Sequence, residues 1–257
     1  LGDVYKRQVK NELRISIPKT ISEFYNPQPG DEKNHHVVLS WLLTESHNPI
    51  ELLETYLMSS ILLDNSASPL RKALENSDLG KSPSPLTGLE TDQKELVFAA
   101  GLEGIDGDKH IEVEKLILDC LNNLILTGVD EEIVASSLHQ LEIRQREITG
   151  SGMPFGLQIM LSCLPACIHN DDPLSILDLD NAFDVIKKNL KSEKYIESLI
   201  EKHLLNNSHR LNYSLVPDIN FTKEAEERIK KKVSEKAKNL SLDEKYEIVK
   251  LAVALEN

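Results

Sequence analysis

The sequence predicts an α+β fold: a mixed β-sheet layered with several long helices, followed by a charged helical hairpin. Three observations carry this. First, Leu96-Val-Phe-Ala-Ala100 is a short apolar run without helical periodicity, bounded by Thr91-Asp92-Gln93-Lys94 before it and by Gly101 and Gly104 after it. Such a run reads as a strand covered on both faces, with Phe98 and Ala99 as core residues. Second, long amphipathic stretches lie on either side of it. Third, the composition changes after Phe221, where Lys223 to Lys238 is dominated by Glu, Lys and Arg.

In chain order, Leu13, Ile15 and Ile17 alternate within Glu12–Ile17 and predict a half-buried strand ended by Pro18. A loop with Pro27, Pro29 and Gly30 follows, and His36–Leu43 reads as a second, mostly apolar strand. Asn48-Pro49 supplies an N-cap and a first-turn proline for a helix reaching about Leu63, with Leu52, Leu53, Tyr56, Leu57 and Ser60 on one side. Ser68-Pro69 opens a short helix in the same way, with Gly80 past its end. Lys81–Pro85 is a turn-rich loop leading to the central strand. From near Asp106-Gly-Asp108, a stripe of Val113, Leu116, Ile117, Cys120, Leu121 and Leu124 marks a helix stopped by Gly128. Asp130 caps the next helix, with Glu131 and Glu132 in its first turn and Ile133, Val134, Leu138 and Leu141 as its apolar positions.

Gly150–Pro154 reads as a flexible break, and Phe155–Ile168 as a helix interrupted near Pro165. Asp172-Pro173 caps a further short helix. Asn181–Leu190 and Ser192–Leu205 are helical, and Asn206-Asn207 end them. Arg210–Val216 alternates Leu211, Tyr213 and Leu215 and is the last expected strand, closed by Pro217. Ser241-Leu-Asp-Glu244 is a capping box that starts a second charged helix. The expected organisation is an α/β domain over 9–220 and the start of a helical hairpin over 221–257. Leu1–Gln8 resembles a translated sequencing-adapter scar and is set aside. A start without Met and an end inside a helical pattern lead us to expect a piece of a longer protein.

Composition sets outer bounds. A hydrophobic content of 40% and a charged content of 28% are ordinary for a globular chain. The net charge of −13 argues against a nucleic-acid surface, which needs clustered cations, and makes cationic peptides the more natural partner. Cys120, Cys163 and Cys167 are too few, and odd in number, for a disulfide framework, and fit a reducing compartment. No apolar stretch is long enough for a membrane helix, and no signal peptide is visible, so no membrane partner is expected.

The chemistry-bearing residues are sparse. Cys163 and Cys167 stand four apart, with His169 nearby, but a zinc site needs about four ligands. The thiols read more simply as small buried residues of a core helix. His35-His36 reads as a polar pair at a strand start, and His203 as a cationic cap at a helix C-terminus, with His209 beyond the break. Gly101, Gly104 and Gly107 do not match a phosphate-binding loop and read as turn residues. Neither His-x-x-Glu-His nor His-Glu-x-x-His occurs, nor Gly-x-Ser-x-Gly. The residues themselves supply no catalytic, cofactor-binding or metal-binding site.

A family resemblance supplies more. It rests on an ordered series: Leu62-Leu63, Ser68-Pro-Leu-Arg-Lys-Ala-Leu74, Leu79-Gly80, Glu95–Ile105, Leu138–Ile143, Phe155-Gly-Leu157, His169–Pro173, Leu215-Val-Pro-Asp218 and the charged hairpin. From about residue 9 onward the chain resembles the presequence-protease branch of the insulinase- or pitrilysin-like metallopeptidases with an inverted zinc motif. The resemblance implies a parent of two halves joined by a helical hairpin, closing around a chamber that admits short unfolded peptides. Zinc would sit in a first domain on a His-x-x-Glu-His helix, where it activates water with Glu as general base. This chain resembles the second, non-catalytic domain of the N-terminal half, so it is expected to bind no zinc and cleave nothing alone. Its implied partners are peptide substrates, the catalytic domain and the C-terminal half. Bacterial cytoplasm is the expected location, with an organelle matrix as the alternative. A non-catalytic partner subunit of the same fold, of the processing-peptidase or core-protein kind, and an unrelated helical scaffold are the competing readings.

Overall fold

A computed structural model describes residues 9–30, 34–146, 153–169, 172–177 and 179–256. The strands are β1 (Lys19–Tyr25), β2 (His35–Glu45), β3 (Ser82–Pro83), β4 (Gly88–Glu90), β5 (Glu95–Ile105) and β6 (Arg210–Pro217). The helices are α1 (Pro49–Leu63), α2 (Pro69–Glu75), α3 (His110–Thr127), α4 (Glu131–Arg146), α5 (Phe155–Ile168), α6 (Asp180–Asn189), α7 (Tyr195–Ile200), α8 (Phe221–Asn239) and α9 (Leu242–Glu256). α7 runs on into a π-helical turn, Glu201–Leu205. The chain divides into two compact units, one of Leu1–Glu23 with Lys33–Val216, the other of Phe24–Glu32 with Pro217–Asn257.

In the first unit the strands are ordered β1-β6-β2-β5-β3, with β4 also on β5. β2 pairs antiparallel with both β5 and β6. Because side chains alternate across a strand, these registers sort the sheet into two faces. Val37, Leu39, Trp41 and Leu43 of β2 share a face with Leu96, Phe98, Ala100 and Leu102 of β5, and all are in the core. α1 and α3 lie against this face, and α2, α4, α6 and α7 pack on α1 or α3. The helical layer therefore covers one face of β5, not both. The opposite face of β5 carries Val97, Ala99 and Gly101, so Ala99 is buried but lies outside the core cluster, whereas Phe98 is central to it. Trp41 and Phe98 stack in a tilted pair with centroids 6.0 Å apart.

β5 is longer than its apolar run. Gly101 lies inside it, and a Cβ there would sit 2.2 Å from the Val37 carbonyl oxygen. The glycine thus permits close backbone approach and does not end the strand. Gly104, with φ +71°, is the extra residue where His35 pairs Ile105 and His36 pairs Glu103. That is a glycine β-bulge. Of the three glycines read as turn residues, only Gly107 lies outside a strand.

α1 begins as its sequence requires: the Asn48 side chain accepts from the N–H groups of Ile50 and Glu51, with Pro49 at the first turn. Its burial is wider than the expected stripe. Met58, Ile61 and Leu62 are as buried as Leu53 and Leu57, because neighbours surround the helix on several sides. α3 and α4 follow their predicted stripes, with Gly128 (φ +84°) after α3 and Asp130 accepting from the Glu132 N–H before helix α4.

Several expectations are corrected. Glu12–Ile17 is not a strand; β1 begins after Pro18. The earlier backbone bonds instead to side chains: the Glu12 N–H donates to Glu95 and the Ile15 N–H to His209, while Ser208 donates to the Ile15 carbonyl. Leu13 and Ile17 are left exposed. The Lys81–Pro85 loop contains β3, and β4 was not anticipated; both are short ribbons on the edge of β5. α5 runs through Pro165 without interruption. Residues 173–177 form turns, not a helix, with Asp172 accepting from the Leu174 N–H. α7 starts at Tyr195, after Lys194 with φ 62°. On β6 the buried side chains are Asn212 and Ser214, while Leu211, Tyr213 and Leu215 lie on the other face and are half-buried.

In the second unit α8 and α9 form two helices separated by Leu240-Ser241, and the Ser241–Glu244 capping box is made on both sides. No residue of α8 is buried, and Tyr246, Val249 and Val253 of α9 are exposed. Among the described residues no helix is long and apolar enough to cross a membrane. Leu1–Gln8 and residues 150–152 of the expected flexible break lie outside the described residues.

Candidate functional site

The structure does not assemble the candidate metal residues into a site. Cys163 is half-buried and Cys167 exposed on α5, so the pair is not part of a core helix as its composition had implied. Partial burial and the neighbouring Cys167 thiol push the Cys163 thiol up, away from the thiolate a metal requires. His35 and His36 open β2 as expected, and His36 Nδ1 lies 3.7 Å from Glu103 Oε2. Among the described residues no group of three or more His, Cys, Asp and Glu side chains is placed to hold a metal ion.

His203 is not a cationic cap. It is 3% exposed, and burial, with Lys202 beside it, depresses its pKa to about 4, so the ring is neutral at pH 7. Its position follows from the π-helical turn, which aims Leu204 and His203 inward while the Leu204 carbonyl accepts from Trp41 Nε1 at 2.9 Å. Asn207 acts as the cap: its side-chain amide donates to the carbonyls of His203 and Leu42. His209 accepts from the Ile15 N–H, and burial and Arg14 hold its pKa below the ordinary value.

Two polar groupings escaped the sequence reading. Under α3, Arg210 pairs with Glu114 at 2.9 Å, and Asn212 donates to Glu114 and to the His110 carbonyl. Between α7 and α1, the Tyr195 hydroxyl donates to the buried Glu54 carboxylate and accepts from Asn189; burial, then this bond, pushes its pKa up to about 12. Each joins elements far apart in sequence, so no local pattern announces it. Neither contains an activated nucleophile with a base, and both read as structural ties.

One concavity of the first unit is a cleft of about 360 Å³ between α5 and α1. Leu161, Leu164 and Ile168 of α5 line it, as do Leu52 and Tyr56 of α1 and Asp92. The Tyr56 hydroxyl donates to Thr91 Oγ1 at 3.3 Å there. The lining mixes apolar side chains with hydroxyls, the Gln145 amide and one carboxylate, and holds no titrating pair equipped for acid–base work.

A one-sided helical layer on a largely antiparallel sheet defines an α+β domain. The chain belongs to the M16 peptidases: residues 1–141 match the family described as Peptidase M16 inactive domain. It is 32% identical over 257 residues to presequence protease 1, chloroplastic/mitochondrial, of Arabidopsis thaliana, covering 97% of this chain and 23% of that protein. It is 28% identical over 225 residues to the mitochondrial presequence protease of Yarrowia lipolytica, covering 87% and 22%. The chain thus spans about a fifth of the length of these relatives. Among solved structures, the peptidase M16 inactive domain of Pseudomonas fluorescens aligns with a TM-score of 0.56 at 13% identity, covering 82% of this chain and 46% of that one. A ferredoxin protease solved with Arabidopsis ferredoxin aligns at 0.57 and 14%, covering 82% and 21%. At these identities the structural matches establish the fold.

Proposed function

We propose that this chain is the non-catalytic domain of a zinc metallopeptidase that degrades short, unstructured, presequence-like peptides. The observation that carries the reading is the match to presequence proteases along 97% of the chain. On this reading residues 9–220 form a wall of a peptide chamber and 221–257 begin the linker to a second half. The zinc, its His-x-x-Glu-His helix and the attacking water belong to another domain of the same polypeptide. This chain contributes the sheet and helices that hold that domain in place and bound the peptide. The setting is an organelle matrix, as the names of the relatives suggest, or the bacterial cytoplasm.

The test is to assay the purified chain and a polypeptide extended through the upstream domain on a short unstructured peptide. The chain alone should not cleave; the extended polypeptide should, and a chelator should stop it. Chelator-sensitive cleavage by the chain alone overturns the assignment of a non-catalytic role. An extended polypeptide without the zinc motif and without cleavage places the parent among partner subunits of the same fold.

A further inference from the structure

We propose that residues 9–17 form a pH-sensitive strap, clasped across one end of the sheet while the His209 imidazole is neutral and released when that ring takes a proton. The segment forms no strand or helix of its own. Its bonds run to the end of β2, the start of β5 and the turn before β6. The Glu12 N–H donates to Glu95 Oε2 at 2.7 Å, and Arg14 donates to Glu95 Oε1 and to the Leu43 carbonyl, both at 2.6 Å. The Ile15 N–H donates to His209 Nδ1 at 3.3 Å, and Ser208 Oγ donates to the Ile15 carbonyl at 2.7 Å. Asn11 donates to Glu45, and Lys94 donates to the Val9 carbonyl. Of the apolar side chains only Ile15 is half-buried; Val9, Leu13 and Ile17 are 61%, 86% and 73% exposed. Polar contacts therefore hold the strap with little help from apolar burial, and each one counts.

The contact with His209 is conditional. A ring nitrogen accepts a hydrogen bond through its lone pair, so Nδ1 holds the Ile15 N–H only in the neutral ring with its proton on Nε2. Protonation puts an N–H on Nδ1, and two donors then face each other. Burial opposes the added charge most, and Arg14 and Lys19 oppose it too, while Glu12 and Glu95 favour it. The balance holds the ring's pKa below the ordinary histidine value. Opening the strap returns the ring to water and to that ordinary value. The strap is therefore fully held above the ordinary pKa and loosens as pH falls from there toward the lower, strapped one. Between pH 7.5 and pH 5.5 the ratio of strapped to open chain falls by up to about ten-fold. What the strap controls rests on the peptidase reading: these residues then lead from the upstream domain into this one, and their release slackens the hold between the two.

The experiment is hydrogen–deuterium exchange of the purified chain at pH 7.5 and pH 5.5, corrected for the pH dependence of intrinsic exchange and read by mass spectrometry on peptides from 9–17 and from β5. We expect protection of the strap to fall by up to about ten-fold at pH 5.5, while β5 stays protected. His209→Asn keeps an acceptor near the Nδ1 position that does not titrate, and should make strap protection equal at the two pH values. His209→Ala should leave the strap poorly protected at both. Strap protection that is the same at pH 7.5 and pH 5.5 in the wild-type chain overturns the proposal. So does a His209→Asn strap with the wild-type pH dependence, or a His209→Ala strap as protected as wild type at pH 7.5. Parallel loss of protection in β5 also overturns it, because release would then be part of acid unfolding of the whole unit. The extended polypeptide separates the two readings. Absence of chelator-sensitive cleavage sinks the peptidase reading alone, and cleavage whose acid limb is unchanged by His209→Asn sinks the strap's part in controlling it.

Discussion

Protonation of His203 should set the acid limit of the first unit. The folded ring has a pKa of about 4, against 6.5 for an ordinary histidine. The folded pKa is depressed, so the unfolded chain binds the proton first, and the stabilisation from keeping the ring neutral is complete above 6.5. As pH falls from about 6.5 toward about 4 the unfolded state takes up a proton the folded state refuses, and stability drops. Integrating this difference gives a loss of about 2 kcal/mol at pH 5 and about 3 kcal/mol at pH 4. The assay is urea unfolding at pH 7.5 and pH 5, followed by emission of Trp41, the chain's one tryptophan, whose indole N–H bonds to Leu204 beside His203. His203→Leu removes the titration and should flatten the pH dependence by about 2 kcal/mol over that interval, whatever its effect at pH 7.5. A variant that keeps the wild-type pH slope would refute the reasoning, because the proton uptake would then belong to other groups, His209 first among them.

Three further outcomes follow from the packing. Gly101→Ala would place a Cβ 2.2 Å from the Val37 oxygen and 2.7 Å from Val38 Cα, both backbone atoms of the central strand. It should cost about 3 kcal/mol or more, measured by the same unfolding assay; a near-neutral result would refute the tight β2–β5 approach. Tyr195→Phe removes the donor to buried Glu54 and should cost about 1–3 kcal/mol, and ultraviolet titration should show one tyrosine ionising late in wild type and none so late in the variant. Thiol labelling should modify exposed Cys167 before Cys120, whose thiol is pushed up by burial and lies 3.7 Å from the Pro69 carbonyl; equal rates would show that α3 does not pack as described.

The elements that were legible are those whose signals are local. Asn48-Pro49 specified the start of α1, the spacing Val113, Ile117, Leu121, Leu124 specified α3, and Ser241–Glu244 specified α9, because caps and 3.6-residue stripes act within one turn or one helix face. Where the reading failed, a distant partner decided. Leu13, Ile15 and Ile17 alternate like a strand, yet Glu95, His209 and Ser208 take up that segment's backbone groups. Asp172-Pro173 has a cap and a first-turn proline but too little helix after it to offset nucleation. His203 looked like a solvent-facing cap and is buried because the π-helical turn rotates it inward beside Leu204. The cleft was invisible in sequence, since its walls come from residues more than 100 positions apart that share no motif.

By itself the sequence determined the order of the main elements, the central strand at Leu96–Ala100, the charged pair of helices after Phe221, and the absence of His-x-x-Glu-His, His-Glu-x-x-His and Gly-x-Ser-x-Gly. These follow from patterns that a few neighbouring residues write and a single turn or strand enforces. Only the tertiary structure decided which face of that strand meets the helices, that Gly101 serves close approach and not termination, that His203 is neutral, and that an uncharged helix borders an open cleft. Those depend on which distant groups remove water from a side chain or leave it exposed, and burial is a property of the packed chain, not of any stretch of it.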